Sequence, residues 1–131
     1  MMDMKERMNS GELYIDSGYG LPQQRLMGKA RAYEYNHSHP FNQELRNDII
    51  QRMFARVGKE CWIEPPINFA YGTHISIGDN FYANFNLTLV DDTEITIGNN
   101  VMFAPNVTIS TAGHPIHPDL RHTQQQFSLP V

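Results

Sequence analysis

The chain has a single cysteine, Cys61, in 131 residues, so no internal disulfide can form. Basic residues are also scarce. Ten Lys and Arg stand against fourteen Asp and Glu, a net charge of −4, which leaves no basic footprint for nucleic acid. No apolar run approaches the roughly 20 residues needed to span a bilayer, so no membrane role is expected. The first residues, MMDMKERMNSGELY, lack the apolar centre of a secretion signal. These absences point to a cytoplasmic protein. What remains is an ordinary globular composition, 40% hydrophobic and 18% charged, with apolar side chains enough for a core.

The first part of the chain reads as helical. Residues 3–12 are rich in Met, Lys and Glu, which favour helix. Gly18, Gly20 and Pro22 mark a turn, and a second helix is predicted over 22–36, with Leu26, Ala30 and Tyr33 on one face. A third is predicted over 42–57, with an apolar stripe of Leu45, Ile49, Met53, Phe54 and Val57 and with Gly58 as its stop. The division expected is a helical segment over 1–58 and a β region over 59–131.

From Trp62 the pattern changes to short β-branched runs broken by Gly, Asn, Asp and Pro. Residues 73–92 (THISIGDNFYANFNLTLVDD) and 93–112 (TEITIGNNVMFAPNVTISTA) align without gaps. They share Thr73/Thr93, Ile75/Ile95, Ile77/Ile97, Gly78/Gly98, Asn80/Asn100, Asn86/Asn106 and Thr88/Thr108. Self-similarity of this size signals stacked units too small to bury their own apolar faces. Within it, Ile97, Phe103 and Ile109 recur every six residues, as do Val101 and Val107. That rhythm predicts short parallel strands joined by tight corners, where Gly and Asn tolerate left-handed backbone angles. It leaves the hand of the coil open, and ordinary crossover logic would make it right-handed.

Several segments together resemble one family. They are NHSHP (36–40), EPP (64–66), NFYANFN (80–86) followed by VDD (90–92), IGNNVMFAPNVTI (97–109) and STAGHPIHPDLR (110–121). The combination is similar to the galactoside and maltose O-acetyltransferases of the hexapeptide-repeat superfamily, over nearly the whole chain. The resemblance implies a mainly β protein, a left-handed parallel β-helix preceded by a short α-helical segment. It also implies a homotrimer with active sites between neighbouring subunits, and acetyl transfer from acetyl-CoA to a sugar hydroxyl. His114 matches the catalytic histidine. Asp16, Tyr82, Asn84 and Asp92 match acceptor-binding positions, and Asn84 also matches an acetyl-CoA-binding position. No metal is expected. Ala70 stands where galactoside enzymes often have serine, which bears on the sugar accepted. The resemblance further implies that additional hexapeptide coils, carrying most acetyl-CoA contacts, would follow Val131.

Taken from the residues alone, these positions have plainer readings. His114 is then a solvated loop histidine, Asp91 and Asp92 a solvated turn pair, and Asn84 a corner residue. His37 and His39 read as ending a helix, His117 as a loop residue near His114, and His74 as a polar residue on a coil face. Cys61 lies in no recognisable nucleophile motif. Two rival functions stay open. His74, His114 and His117 would suit a zinc-dependent, carbonic-anhydrase-like enzyme on the same architecture. A chain ending at Val131 would otherwise be a truncated, non-catalytic, trimer-forming fragment.

Overall fold

A computed structural model describes residues 2–131. Helix α1 (Met4–Ser10) starts at a capping box, in which Asp3 accepts from the Glu6 amide and Glu6 from the Asp3 amide. Helix α2 (Leu21–Asn36) carries Pro22 in its first turn. Helix α3 (Gln43–Met53) starts where the Asn42 side chain accepts from the Leu45 amide. No helix among the described residues is long and apolar enough to cross a membrane.

Helix α2 buries a different face from the one its large apolar residues mark. Leu26 and Tyr33 are each 66% exposed, while Leu21, Gly28, Ala32 and Tyr35 are buried. The reason is close docking. A Cβ on Gly28 would lie 2.2 Å from the Tyr71 carbonyl oxygen, so the point of closest approach on this face takes a residue without a side chain. Helix α3 also ends earlier than Val57. At Phe54 the backbone turns extended, and Arg56 and Val57 already form the first strand. Gly58 is therefore a corner residue instead of a helix stop, and a Cβ there would meet the Gly78 carbonyl oxygen at 2.6 Å.

The remaining chain coils through three parallel three-stranded sheets. The first face stacks β1 (Arg56–Val57), β4 (Ile75–Ile77) and β7 (Ile95–Ile97). The second stacks β2 (Trp62–Ile63), β5 (Tyr82–Ala83) and β8 (Met102–Phe103). The third stacks β3 (Ile67–Phe69), β6 (Leu87–Val90) and β9 (Thr108–Ser110). Partners such as Ile75↔Ile95, Tyr82↔Met102 and Leu89↔Ile109 are twenty residues apart, so the sequence repeat is one turn of the coil.

The inward residues Ile75, Phe81, Leu87 and Ile95 are all buried, at steps of six, six and eight. The six-residue rhythm thus holds on two corners, and the third corner is two residues longer. The short corners place Asn80, Asn86, Asn100 and Asn106 at positive φ, in the left-handed region that Asn accepts more readily than most residues. Stacked pairs there bond across coils, Asn80 Nδ2 to Asn100 Oδ1 at 2.9 Å and Asn86 Nδ2 to Asn106 Oδ1 at 3.1 Å. The long corner is where α1, α2 and the arm between them pack, through a second cluster of Met8, Tyr14, Leu21 and Tyr71.

After β9 the chain leaves the coil through β10 (Ala112–Gly113) and a loop holding the short helix α4 (Pro118–Arg121). It returns in β11 (Phe127–Ser128), antiparallel to β10. Val131 then pairs with Glu94 and Thr96, resuming the first face beside β7.

Candidate active site

The long corner comprises residues 70–74, 90–94 and 110–114 in successive coils. Its two extra residues per turn leave backbone amides without strand partners, and a carboxylate supplies the missing acceptor. Asp91 is fully buried. Its Oδ1 accepts from the amides of Ala70 (3.0 Å) and Tyr71 (2.8 Å), and its Oδ2 from Gly72 (2.8 Å). The Asp91 carbonyl oxygen lies 2.6 Å from His74 Nδ1, so the imidazole proton belongs on that nitrogen. The His74 ring lies tilted against the Tyr71 ring, with centroids 4.7 Å apart. Burial pushes the Asp91 carboxyl up from its ordinary value, against the opposing pull of its amide donors.

Asp92, the next residue, faces the helical arm. Its Oδ2 accepts from the Tyr14 hydroxyl at 2.5 Å. No hydrogen bond from the described residues reaches Oδ1. Among those residues the one sealed side-chain polar atom without a partner is Gln43 Oε1, so Asp92 Oδ1 keeps access to solvent. Burial pushes the Asp92 carboxyl up, and Asp16 pushes the same way. Tyr14, Arg25 and His74 oppose them. The Tyr14 phenol is itself pushed well above its ordinary value by burial and by Asp92, so it stays protonated and donates.

Asp16 joins this group through Arg25. The guanidinium lies 3.5 Å from the Asp16 carboxylate, donates to the Asp16 carbonyl (2.9 Å) and to the Tyr71 hydroxyl (2.8 Å), and sits 5.6 Å from the Tyr71 ring centre. The structure therefore brings Asp16 and Asp92 to one place, with Tyr14, Arg25, Tyr71 and His74 around them. His114 occupies the same corner one coil later, twenty residues after Glu94. It is exposed, at the start of the loop that leaves β10.

Tyr82 and Asn84 are not part of this cluster. Tyr82 lies half-buried on β5, in register between Trp62 and Met102. Asn84 is on the next corner, where its Oδ1 accepts from the Phe85 amide at 2.8 Å and its own amide donates to the Phe103 carbonyl. The strand β6 separates that corner from Asp92, a span of about 13 Å for four residues.

The other histidines have local partners. His117 caps α4, its Nδ1 accepting from the Asp119 amide at 3.2 Å. His37 and His39 bond near the end of α2, to the Tyr33 carbonyl and from the Phe41 amide. No three His, Cys, Asp or Glu among the described residues are grouped to hold a metal ion. A cavity of about 820 Å³ between α3 and the first corner is lined by Trp62, Lys59 and Asp79 among others and holds none of the clustered side chains.

Tyr14, Arg25 and Tyr71 are absent from the sequence-based set. Tyr71 is within reach of sequence reasoning, because the twenty-residue register sets it over Asp91. Tyr14 and Arg25 lie in the helical segment, which no repeat indexes. Chemically, the corner offers carboxylates able to accept hydrogen bonds from hydroxyl groups, with an exposed imidazole, His114, one coil away.

Residues 7–58 match the family model described as the maltose acetyltransferase hexapeptide capping motif. The chain is 54% identical over 130 residues to the galactoside O-acetyltransferase of Escherichia coli K12, covering 99% of this chain and 64% of that protein. A solved galactoside acetyltransferase in complex with coenzyme A superposes with a TM-score of 0.96 at 54% identity, covering 99% of this chain and 65% of that one. A maltose O-acetyltransferase from Clostridium difficile 630 superposes with a TM-score of 0.96 at 38% identity, covering 98% of this chain and 69% of its own. The chain thus spans slightly under two thirds of the length of the galactoside relatives it matches.

Proposed function

This chain belongs to the galactoside and maltose O-acetyltransferase family of hexapeptide-repeat proteins, and we propose that it carries the acceptor side of a site that transfers acetyl from acetyl-CoA to a sugar hydroxyl. The observation that carries this reading is the long corner itself, with Asp16 and Asp92 gathered beside it and His114 exposed one coil away.

The sugar's hydroxyl groups donate to the carboxylates of Asp92 and Asp16, which fixes the acceptor. The attacking oxygen bonds to the thioester carbonyl carbon as His114 takes its proton. The tetrahedral intermediate then collapses, the C–S bond breaks, and the CoA sulfur leaves with a proton returned by the His114 imidazolium. An imidazole can both accept a proton and return it, which suits both halves of that movement. The Asn84 side-chain amide supplies a donor for the oxyanion and for the acetyl-CoA carbonyl.

Because Tyr82 lies on β5 and Asn84 on the corner that follows it, away from the long corner of Asp92 and His114, one chain does not assemble all four. Two copies placed corner to corner would. The outward row of Trp62, Tyr82 and Met102 on the second face, with Trp62 44% and Met102 77% exposed, offers apolar surface for such packing. We infer a left-handed coil and a homotrimer with sites between subunits, acting in the cytoplasm. Ala70, which has no hydroxyl to offer a sugar, leaves acceptor choice to the carboxylates.

The test is release of free CoA thiol from acetyl-CoA by the full-length protein on addition of a methyl galactoside or maltose. Sugar-dependent release with formation of the acetyl sugar is expected. Thiol release unaffected by any sugar would overturn the reading.

A further inference from the structure

We propose that Tyr14 is a positioning residue for the acceptor, its hydroxyl holding one oxygen of Asp92 so that the other alone faces the sugar. This rests on the acetyl-transfer reading and deepens it. A free carboxylate turns about its Cβ–Cγ bond and offers two equivalent oxygens. Here Oδ2 is taken by Tyr14 at 2.5 Å, while Oδ1 is unpaired and open. A single acceptor in a fixed direction selects one hydroxyl orientation on the sugar.

The tyrosine is well placed to hold that direction. Its ring is 1% exposed and packs with Met8, Leu21 and Tyr71, so it has no room to swing. Its backbone is fixed on both sides: the Tyr14 amide donates to the Gln126 carbonyl at 2.8 Å and the Gln126 amide returns a bond at 2.9 Å. Gln126 directly precedes β11, which pairs with β10, the strand from which His114 departs. One residue therefore links the carboxylate that receives the acceptor to the strand pair that closes the His114 loop.

The charged and titratable groups around Asp92 come from three elements. Tyr14 and Asp16 belong to the arm, Arg25 to α2, and Tyr71 and His74 to the preceding coil. Asp16 and burial favour protonation of Asp92, and the Tyr14 hydrogen bond opposes it. Removing the hydroxyl should therefore move loss of acceptor binding to higher pH.

The experiment is steady-state acetylation of a methyl galactoside across pH by wild type, Tyr14→Phe, Asp92→Asn and the double variant. In Tyr14→Phe the galactoside KM should rise about tenfold, as expected for a lost bond to a charged group. The KM for acetyl-CoA and kcat should stay within about twofold of wild type, since neither reads Asp92. The acid limb of the KM profile should shift upward in pH. In the Asp92→Asn background, Tyr14→Phe should add nothing to KM. Incorporation of 3-fluorotyrosine, which keeps the packing and strengthens the donor, should shift the acid limb downward, a readout that survives if Tyr14→Phe does not fold. An active wild type with unchanged galactoside KM in Tyr14→Phe, additive effects in the double variant, or an unmoved acid limb with the fluorinated residue would overturn the proposal alone. A wild type that acetylates no sugar would remove the acetyl-transfer reading and this inference together.

Discussion

Replacing His114 by alanine should lower kcat for acetyl transfer by about 10²–10⁴-fold, the usual worth of a general base. The fold should be unaffected, because the side chain is exposed at the start of a loop. Galactoside KM should change little, since Asp16 and Asp92 remain to hold the acceptor. Steady-state kinetics alongside a thermal melt separates these effects. A variant that transfers acetyl at the wild-type rate would rule out the imidazole as base. One that melts far below wild type would show that His114 supports the loop instead.

Asp91 lies at the same corner but has a different role, and Asp91→Ala should act on stability first. Alanine strands the buried amides of Tyr71 and Gly72, which donate to that carboxylate, while the partly buried Ala70 amide keeps the Leu89 carbonyl as its second acceptor. Each stranded buried donor costs about 1–3 kcal/mol. Part of that is relieved by relaxation and entering water, and a net loss of about 3–5 kcal/mol is expected, in the range that marks a broken buried network. Against a typical domain stability of about 5–15 kcal/mol, that should be plain in urea denaturation. Activity should fall as well, because the corner that presents Asp92 would no longer be fixed. A variant as stable as wild type would mean that the corner amides find other acceptors.

Asp91 and its neighbour Asp92 also show how far the sequence can be read. They stand together where the second repeat has Thr111 and Ala112, and from sequence both could be a solvated turn pair. In the structure one is turned inward to the coil's backbone and the other outward to Tyr14. Burial of a carboxylate depends on donors supplied from a different coil, and nothing local in a VDD segment records them.

The coil itself is legible, because each turn repeats the same demands. Inward positions need Ile, Leu or Phe, and short corners at positive φ favour Asn. Those demands print a twenty-residue period on the sequence. The helical segment has no such redundancy. Helix α2 docks through Gly28 and Ala32, whose value lies in being small, so Leu26, Ala30 and Tyr33 point a sequence reading to the solvent side. The end of α3 is read too late for a related reason. Phe54 and Val57 are apolar at helical spacing, but they continue into the coil's first strand, which needs apolar residues as much as the helix does. The contributions of the arm and of α2 to the site, Tyr14 and Arg25, depend on that same docking.

The most direct test of a sugar acetyltransferase site shared between copies is complementation between two impaired variants. His114→Ala and Asn84→Ala should each have little activity alone, since each removes one side of every site. Mixing them by co-expression or by unfolding and refolding together should restore sugar acetylation, because some interfaces then pair an intact His114 corner with an intact Asn84 corner. The mixed species should sediment as a trimer. If the mixed trimers form and remain as inactive as either parent, the two corners do not meet between chains, and the site is not shared between copies.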